Sequence, residues 1–381
     1  MSRAITKSRC LVSLVALILV VSGSGCTFLP HTTPSSETLT KRFQNTLDDL
    51  QREHKFPGAT AAVLLPDDTI IAVATGYADR DKKILMHPST QQYIGDVGMT
   101  FVAALALALV HDERLDLDRP VQNYLDTRGQ DAWFLEIPNA GRITMRHLLT
   151  HTSGLRDVSQ ENESIQPANQ VNDSTRLLMM SESWTGTANG LESEFRPGAG
   201  FNHSRMGYLL AGIVLERISG QSIEELLEQR LIGPRDLSRT SHVSSEYPDA
   251  IATGYAGDHS QSNTPRWVSS ALISNPHDLV RWAKGLYQED LFDRPYLEDL
   301  LASGYRGSDR NSEYGLGVYI YETTAGEAYG HTGSYPGFET NLIYFPRHEI
   351  AVCIQVNSSY DNDIRAYVQE LAQVILNSLP R

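Results

Sequence analysis

Three short stretches hold residue types that can do chemistry. Asp96 stands near the start of "YIGDVGMTFVAALALALVHDERLDLDRPV", just ahead of a long apolar run. His203-Ser204-Arg205 lies in "FRPGAGFNHSRMGYLLAGIVLERISG", and His331-Thr332-Gly333 in "GHTGSYPGFET". A carboxylate and imidazoles can carry protons in general acid–base catalysis. Asp96, His203 and His331 are also metal-ligand types, but no close sequence spacing ties them into a metal motif, so no cofactor is expected. Asp96 has a plainer use as well. An aspartate at a helix start caps open N–H donors, worth about 0.5–2 kcal/mol, and suits the positive end of the helix dipole. As a nucleophile on an amide it would form an anhydride, less stable than the reactant. The expectation is therefore an N-cap or an ion pair.

The elements around these residues can be read from periodicity. A helix is predicted to start near Ser36, with Leu39, Phe43, Leu47 and Leu50 on one face. Two apolar runs flank Pro66-Asp67-Asp68, a hairpin signal. From Asp96 to Val110 the apolar residues run all round, which predicts a buried helix. A mostly helical region follows over about 111–290, with the loop-like "SQENESIQPANQVNDS" inside it. The end returns to strands in "YGLGVYIYET", "EAYGHTGSY", "ETNLIYFP" and "EIAVCIQVNS", and a helix from Asp363 to Leu379 closes the chain. This order predicts an α+β fold: an antiparallel sheet flanked by helices, plus an all-helical lobe.

At 381 residues, with 41% hydrophobic and 20% charged residues, the chain has globular composition. Its net charge of −14 argues against a nucleic-acid partner. Arg3, Lys7 and Arg9 precede "LVSLVALILVV", then small residues and Cys26. That is the layout of a secretory signal, and the apolar run is short of the about 20 residues of a membrane span. "SGSGC" resembles a bacterial lipobox, with Gly23 where leucine is usual. The expected organisation is a signal peptide over 1–25, a tether over 26–36 lipidated at Cys26, and one domain over 37–381. The chain would then be an exported lipoprotein anchored to a membrane of the bacterial envelope, and Cys353 its one other cysteine.

Four stretches together resemble one family. "ITMRHLLTHTSGL", "FRPGAGFNHSRMGYLLAGIVLERISG", "YGLGV" and "GHTGSYPGFET" occur in the order found in serine β-lactamases and penicillin-binding proteins, especially the class C β-lactamase, D-alanyl-D-alanine carboxypeptidase and esterase branch. The resemblance covers roughly residues 40–375. It implies a Ser-x-x-Lys pair on the buried helix, whose serine attacks a carbonyl while the lysine helps take its proton. It also implies a Tyr-x-Asn, a Lys/His-Thr-Gly strand along the substrate, and an oxyanion hole of backbone N–H groups.

Set against that pattern, only the strand motif survives, as His331-Thr332-Gly333, which the resemblance makes the best candidates for ligand contact. Ser-x-x-Lys reads Asp96-x-x-Met99, and Tyr-Ser-Asn reads His203-Ser204-Arg205. No lysine beyond the signal segment has a serine three residues before it, and Tyr360-Asp361-Asn362 follows the strand motif instead of preceding it. If the family geometry holds, Asp96, Met99, His203 and Arg205 converge, and an Asp96–Arg205 salt bridge plugs the nucleophile site. His147, His151, Thr152, Ser153, Gly154, Tyr314, Gly315 and Gly317 read as architectural. The first expectation is a pseudo-enzyme that binds a cell-wall peptide or a protein partner. The alternative is a hydrolase of esters or amides with a rebuilt centre, in which Asp96 or His203 activates water.

Overall fold

The computed structural model describes residues 36–157, 193–243, 251–257, 259–260, 272–288, 291, 294–302, 304–306, 312–360 and 362–378. The expected signal segment, Cys26, the tether and the loop-like stretch over 159–174 lie outside the described residues. Among the described residues no helix is long and apolar enough to cross a membrane.

Among the described residues, five short strands come between the first three and the last six, which together build the main sheet. In chain order they are β1 (Gly58–Leu64), β2 (Ile70–Asp79), β3 (Ile84–Leu85), β4 (Gln92–Tyr93), β5 (Ser241–His242), β6 (Tyr255–Ala256), β7 (His259–Ser260), β8 (Leu272–Ser274), β9 (Tyr305–Arg306), β10 (Ser312–Tyr314), β11 (Tyr319–Thr323), β12 (Gly326–Tyr335), β13 (Phe338–Phe345) and β14 (Ile350–Val356). The centre is a nine-stranded antiparallel sheet in the order β3-β2-β1-β14-β13-β12-β11-β10-β9. The predicted hairpin is β1–β2, closed where Asp68 takes φ 67° and Thr69 N–H donates to Asp67 Oδ1 at 3.1 Å.

Both faces of the sheet are covered, so its central strands lack polar alternation: all seven residues of β1 and of β14 are buried. Alternation sorts them between two cores instead. Ala61, Val63, Val352 and Ile354 face the first helix, Ser36–His54, and the last, Ile364–Leu376. There Leu39, Phe43, Leu47 and Leu50 form the predicted apolar stripe. Ala62, Leu64, Leu342 and Cys353 face the second core, which contains the helices Gly98–His111 and Pro276–Tyr287.

Gly98–His111 is the predicted buried helix, and every residue from Gly98 to Leu107 is buried. Phe101 stacks on Trp282 at 3.9 Å, and the Trp282 indole N–H donates to Thr100 Oγ1 at 2.8 Å. The lobe beyond it contains the helices Met145–Leu149, Arg205–Ser219 and Ile223–Leu227. The expected all-helical segment also carries short strands: β8 pairs with β4 and with β5, and β6 with β7. Two- and three-residue strands leave no periodicity to read, so the sequence gives no sign of them.

Candidate active site

Asp96 sits in a 3₁₀ turn, Gly95–Val97, that leads into the buried helix. The N-cap is Val97, so the expected capping role for Asp96 does not hold. The turn supplies the reason. Val97 N–H already donates to Ile94 O, and Gly98 N–H to the carbonyls of Gly95 and Asp96, leaving little for a cap to serve.

Backbone contact fixes where this turn lies. A Cβ on Gly333 of β12 would fall 1.9 Å from Ile94 O, and one on Gly95 would fall 2.6 Å from Ser334 O. Gly95 also has φ 52°, a left-handed conformation that glycine adopts without strain. The third residue of His331-Thr332-Gly333 is therefore a packing requirement. It lets strand and turn touch, which brings Asp96 and His331 to one cleft.

The helix Arg205–Ser219 delivers the other side. Ser204 is its N-cap and accepts from Gly207 N–H at 3.1 Å, which places His203 and Arg205 on either side of a fixed residue. Asp96 Oδ2 lies 3.9 Å from His203 Nε2 and 3.9 Å from Arg205 Nε. Arg205 Nε is also 3.5 Å from Asp157 Oδ2, and its backbone N–H donates to Asp157 Oδ1 at 2.9 Å. The Asp96–Arg205 pairing expected from sequence is thus one arm of a wider group. Met99, in the position the resemblance gives to lysine, is fully buried.

Behind the cleft runs a chain of hydrogen bonds whose direction is forced from both ends. Ser204 N–H can only donate, so His151 Nδ1, 3.1 Å away, accepts and the His151 proton sits on Nε2. That proton goes to Tyr314 Oη at 3.1 Å. At the far end the Thr332 carbonyl can only accept, so His331 Nδ1 carries its proton, at 2.5 Å. His331 Nε2 therefore accepts from Tyr314 Oη–H at 2.9 Å. Every imidazole here is held neutral. Burial pushes His331 down to about 3 and His151 well below the usual histidine range. His203 is lowered by burial first, opposed by Asp157 and assisted by Arg205.

This arrangement corrects two expectations. His151 and Tyr314, architectural on their sequence context, lie in the relay that orients His331, and the His151 ring lies 4.3 Å from that of His203. His331 lines the cleft, but both its nitrogens are committed, so Thr332 is the better ligand contact of the two. The His203 and His331 ring centres are 6.5 Å apart. Among the described residues no group of three or more His, Cys, Asp or Glu side chains is arranged to hold a metal ion.

The ion pair does not plug the site. A cleft of about 300 Å³ stays open, lined by Asp96, His203, Thr332, Ser334, Glu339 and Arg365 among others. Asn362, from the out-of-order Tyr-x-Asn, lines it too. Arg365 lies 5.6 Å over the Tyr319 ring and 5.7 Å over Tyr321. Burial pushes the Glu339 carboxyl up to about 7, while a hydrogen bond from Asn362 pulls the other way.

Known proteins of similar sequence and shape now bear on the site. Penicillin-binding protein 4* of Bacillus subtilis (strain 168) is 24% identical over 367 residues, covering 89% of this chain and 76% of that protein. Protein flp of Staphylococcus aureus (strain COL) is 25% identical over 358 residues, and the chain spans 65% of its length. Among solved structures, the D-amino acid amidase of Ochrobactrum anthropi SV3 complexed with L-phenylalanine superposes with a TM-score of 0.75 at 24% identity, covering 89% of this chain and 99% of that one. The octameric penicillin-binding protein homologue of Pyrococcus abyssi gives 0.76 at 22% identity, covering 88% and 77%. With the beta-lactamase family model matching residues 43–376, nearly the whole described fold, the chain belongs to the beta-lactamase family.

Proposed function

We propose that this protein hydrolyses small amides or esters by direct attack of water, without an acyl-serine intermediate. The observation that carries the reading is the open cleft with Asp96 and His203 side by side on its wall. Their 3.9 Å separation is too long for a direct hydrogen bond and suits a water held between them. His203 is neutral near pH 7, so its ring can take a proton from that water, and the Asp96 carboxylate orients the pair. The acyl-serine route lacks its parts: Asp96 replaces the nucleophile, and Met99 offers a thioether where an amine would accept a proton. Backbone N–H groups where the 3₁₀ turn meets β12 are the candidates for stabilising the oxyanion.

Support for the substrate class comes from similar proteins, which include a D-amino acid amidase and penicillin-binding proteins. The cleft volume, at the low end for ligand pockets, suits an amino-acid derivative or short peptide, including a fragment of cell-wall peptide. We place the protein outside the cytoplasm, tethered through a lipid on Cys26.

A second reading, binding without turnover, draws on Arg205. Its guanidinium, 3.9 Å from Asp96 and 3.5 Å from Asp157, competes with a water for the Asp96 carboxylate. One experiment separates the two. A panel of nitrophenyl esters and anilides is assayed with the wild-type chain, Asp96→Asn and His203→Ala. The water-attack reading requires turnover by the wild type that falls at least about 100-fold in each variant. No turnover by the wild type, with ligand-dependent thermal stabilisation retained, would leave binding as the function.

A further inference from the structure

Glu339 is a cleft carboxyl with no part in the attack of water. It sits on β13 directly across from Ser334 of β12 and Val356 of β14. Side-chain alternation puts it on the same face of the sheet as Thr332 and Ser334, and all three line the cleft. Its Oε2 is out of reach of bulk solvent and has no hydrogen-bond partner among the described residues. Asn362 provides one hydrogen bond to the carboxyl, and no ion pair to Glu339 occurs among the described residues. A buried carboxylate oxygen without a partner is costly, and cleft residues that carry such a cost are commonly completed by a ligand.

The other charges of the cleft are already engaged. Asp96 faces Arg205 and His203, Asp363 caps the last helix by accepting from Ala366 N–H at 3.1 Å, and the Arg365 guanidinium lies over Tyr319 and Tyr321. A small cation with N–H donors would suit the Glu339 oxygen that lacks a partner.

We infer that the cleft selects ligands bearing a protonated amine, and that Glu339 receives the ammonium. This rests on the hydrolytic reading for its cleft but not for its test, and it narrows the substrate class to amides or esters that retain a free amino group. The titration of Glu339 supports it. The carboxyl ionises close to neutral pH, and a bound ammonium would stabilise the ionised form. The groups facing it are Ser334, Val356, Asn362, Asp363 and Arg365. The cleft histidines, His203 and His331, are pushed below their usual range by burial, whereas Glu339 is pushed up to about 7.

The test is equilibrium binding of phenylalanine amide and N-acetylphenylalanine amide to the full chain carrying Asp96→Asn, in which the hydrolytic reading expects turnover to be at least about 100-fold slower. At pH 7, where the amine is still mostly protonated, it is expected to bind about tenfold or more tighter than its acetylated counterpart. Glu339→Gln in the same background is expected to erase the difference, and circular dichroism checks that this variant is folded. In the chain that keeps Glu339, the preference should grow from pH 5 to pH 7 as the carboxyl ionises, and fall again above pH 8 as the ligand amine loses its proton. Equal binding of the two ligands, a preference that survives Glu339→Gln, or no binding of the amine at millimolar concentration would each overturn the inference. Loss of amine preference with ester turnover intact would sink this inference alone, whereas amine preference without turnover would sink the hydrolytic reading alone.

Discussion

Removing the Arg205 side chain tests how the substituted site is held together. Arg205→Ala deletes the guanidinium that lies 3.9 Å from Asp96 and 3.5 Å from Asp157, leaving two acidic side chains facing each other across the gap. The side chains are 25% exposed for Arg205, 11% for Asp96 and 24% for Asp157. Breaking a fully buried pair from one side costs about 3–5 kcal/mol, while an exposed pair is worth at most about 1 kcal/mol. These contacts are partly buried and longer than a short charge-assisted bond, which places the cost near ~2 kcal/mol and the fall in Tm at roughly 4 °C. Thermal and denaturant unfolding of the wild type, Arg205→Ala, Asp96→Asn and the double variant form the cycle. The double variant should recover about half of the Arg205→Ala loss, because a neutral amide at position 96 no longer needs the cation. An unchanged Tm in Arg205→Ala, or strict additivity in the cycle, would refute the claim that these residues act as a coupled group.

Further outcomes follow from the same geometry. Tyr314→Phe strips the acceptor from His151 Nε2 and the donor from His331 Nε2, so unfolding by denaturant should show a loss of about 2–4 kcal/mol. Gly333→Ala would force β12 off Ile94, and should cost about 3 kcal/mol and weaken ligand binding, read by thermal unfolding and titration. Acid should destabilise the fold through its histidines. His331 has a folded value of about 3, below its unfolded 6.5, so its contribution is present above pH 6.5 and declines below it, by about 2 kcal/mol at pH 5. Glu339, raised to about 7 from 4.5, works the other way, its cost appearing as pH rises through that window. Glu339→Gln should therefore steepen the acid loss and stabilise the protein above pH 7, as read from Tm against pH. Finally, Cys26→Ser should move the protein from the membrane fraction to the soluble fraction of the envelope on cell fractionation.

Much of the fold can be read from the sequence alone. The buried helix is plain because Phe101 through Val110 leaves no polar face, and the strands of the C-terminal half are long enough to recognise. The gap at Asp96 and Met99 is a matter of residue identity, and the Asp96–Arg205 pairing follows from charge balance once a shared cleft is assumed. Geometry that depends on the third dimension is not legible in this way. Asp96 reads as a cap because the preceding 3₁₀ turn, which satisfies the same donors, is only three residues long and leaves no signature. His151 and Tyr314 are 163 residues apart, so nothing local links them, yet their hydrogen bond joins two histidines in one relay. Nothing in the sequence around Glu339 marks it as a cleft residue, because Asn362 and the start of the last helix, which line the cleft with it, come more than twenty residues later. A salt bridge likewise suggests a filled cavity, although both its partners can stand in the wall of an open one.

The claim that water attacks the substrate directly is tested most sharply by the mass of the protein during turnover. The full chain is mixed with an activated ester at saturating concentration, quenched in acid while product is still accumulating linearly, and its intact mass taken. Direct attack predicts a chain of unaltered mass at every time point alongside growing free acid. A species heavier by one acyl group, appearing before the steady state and mapping to a hydroxyl or carboxyl in the cleft, would contradict it.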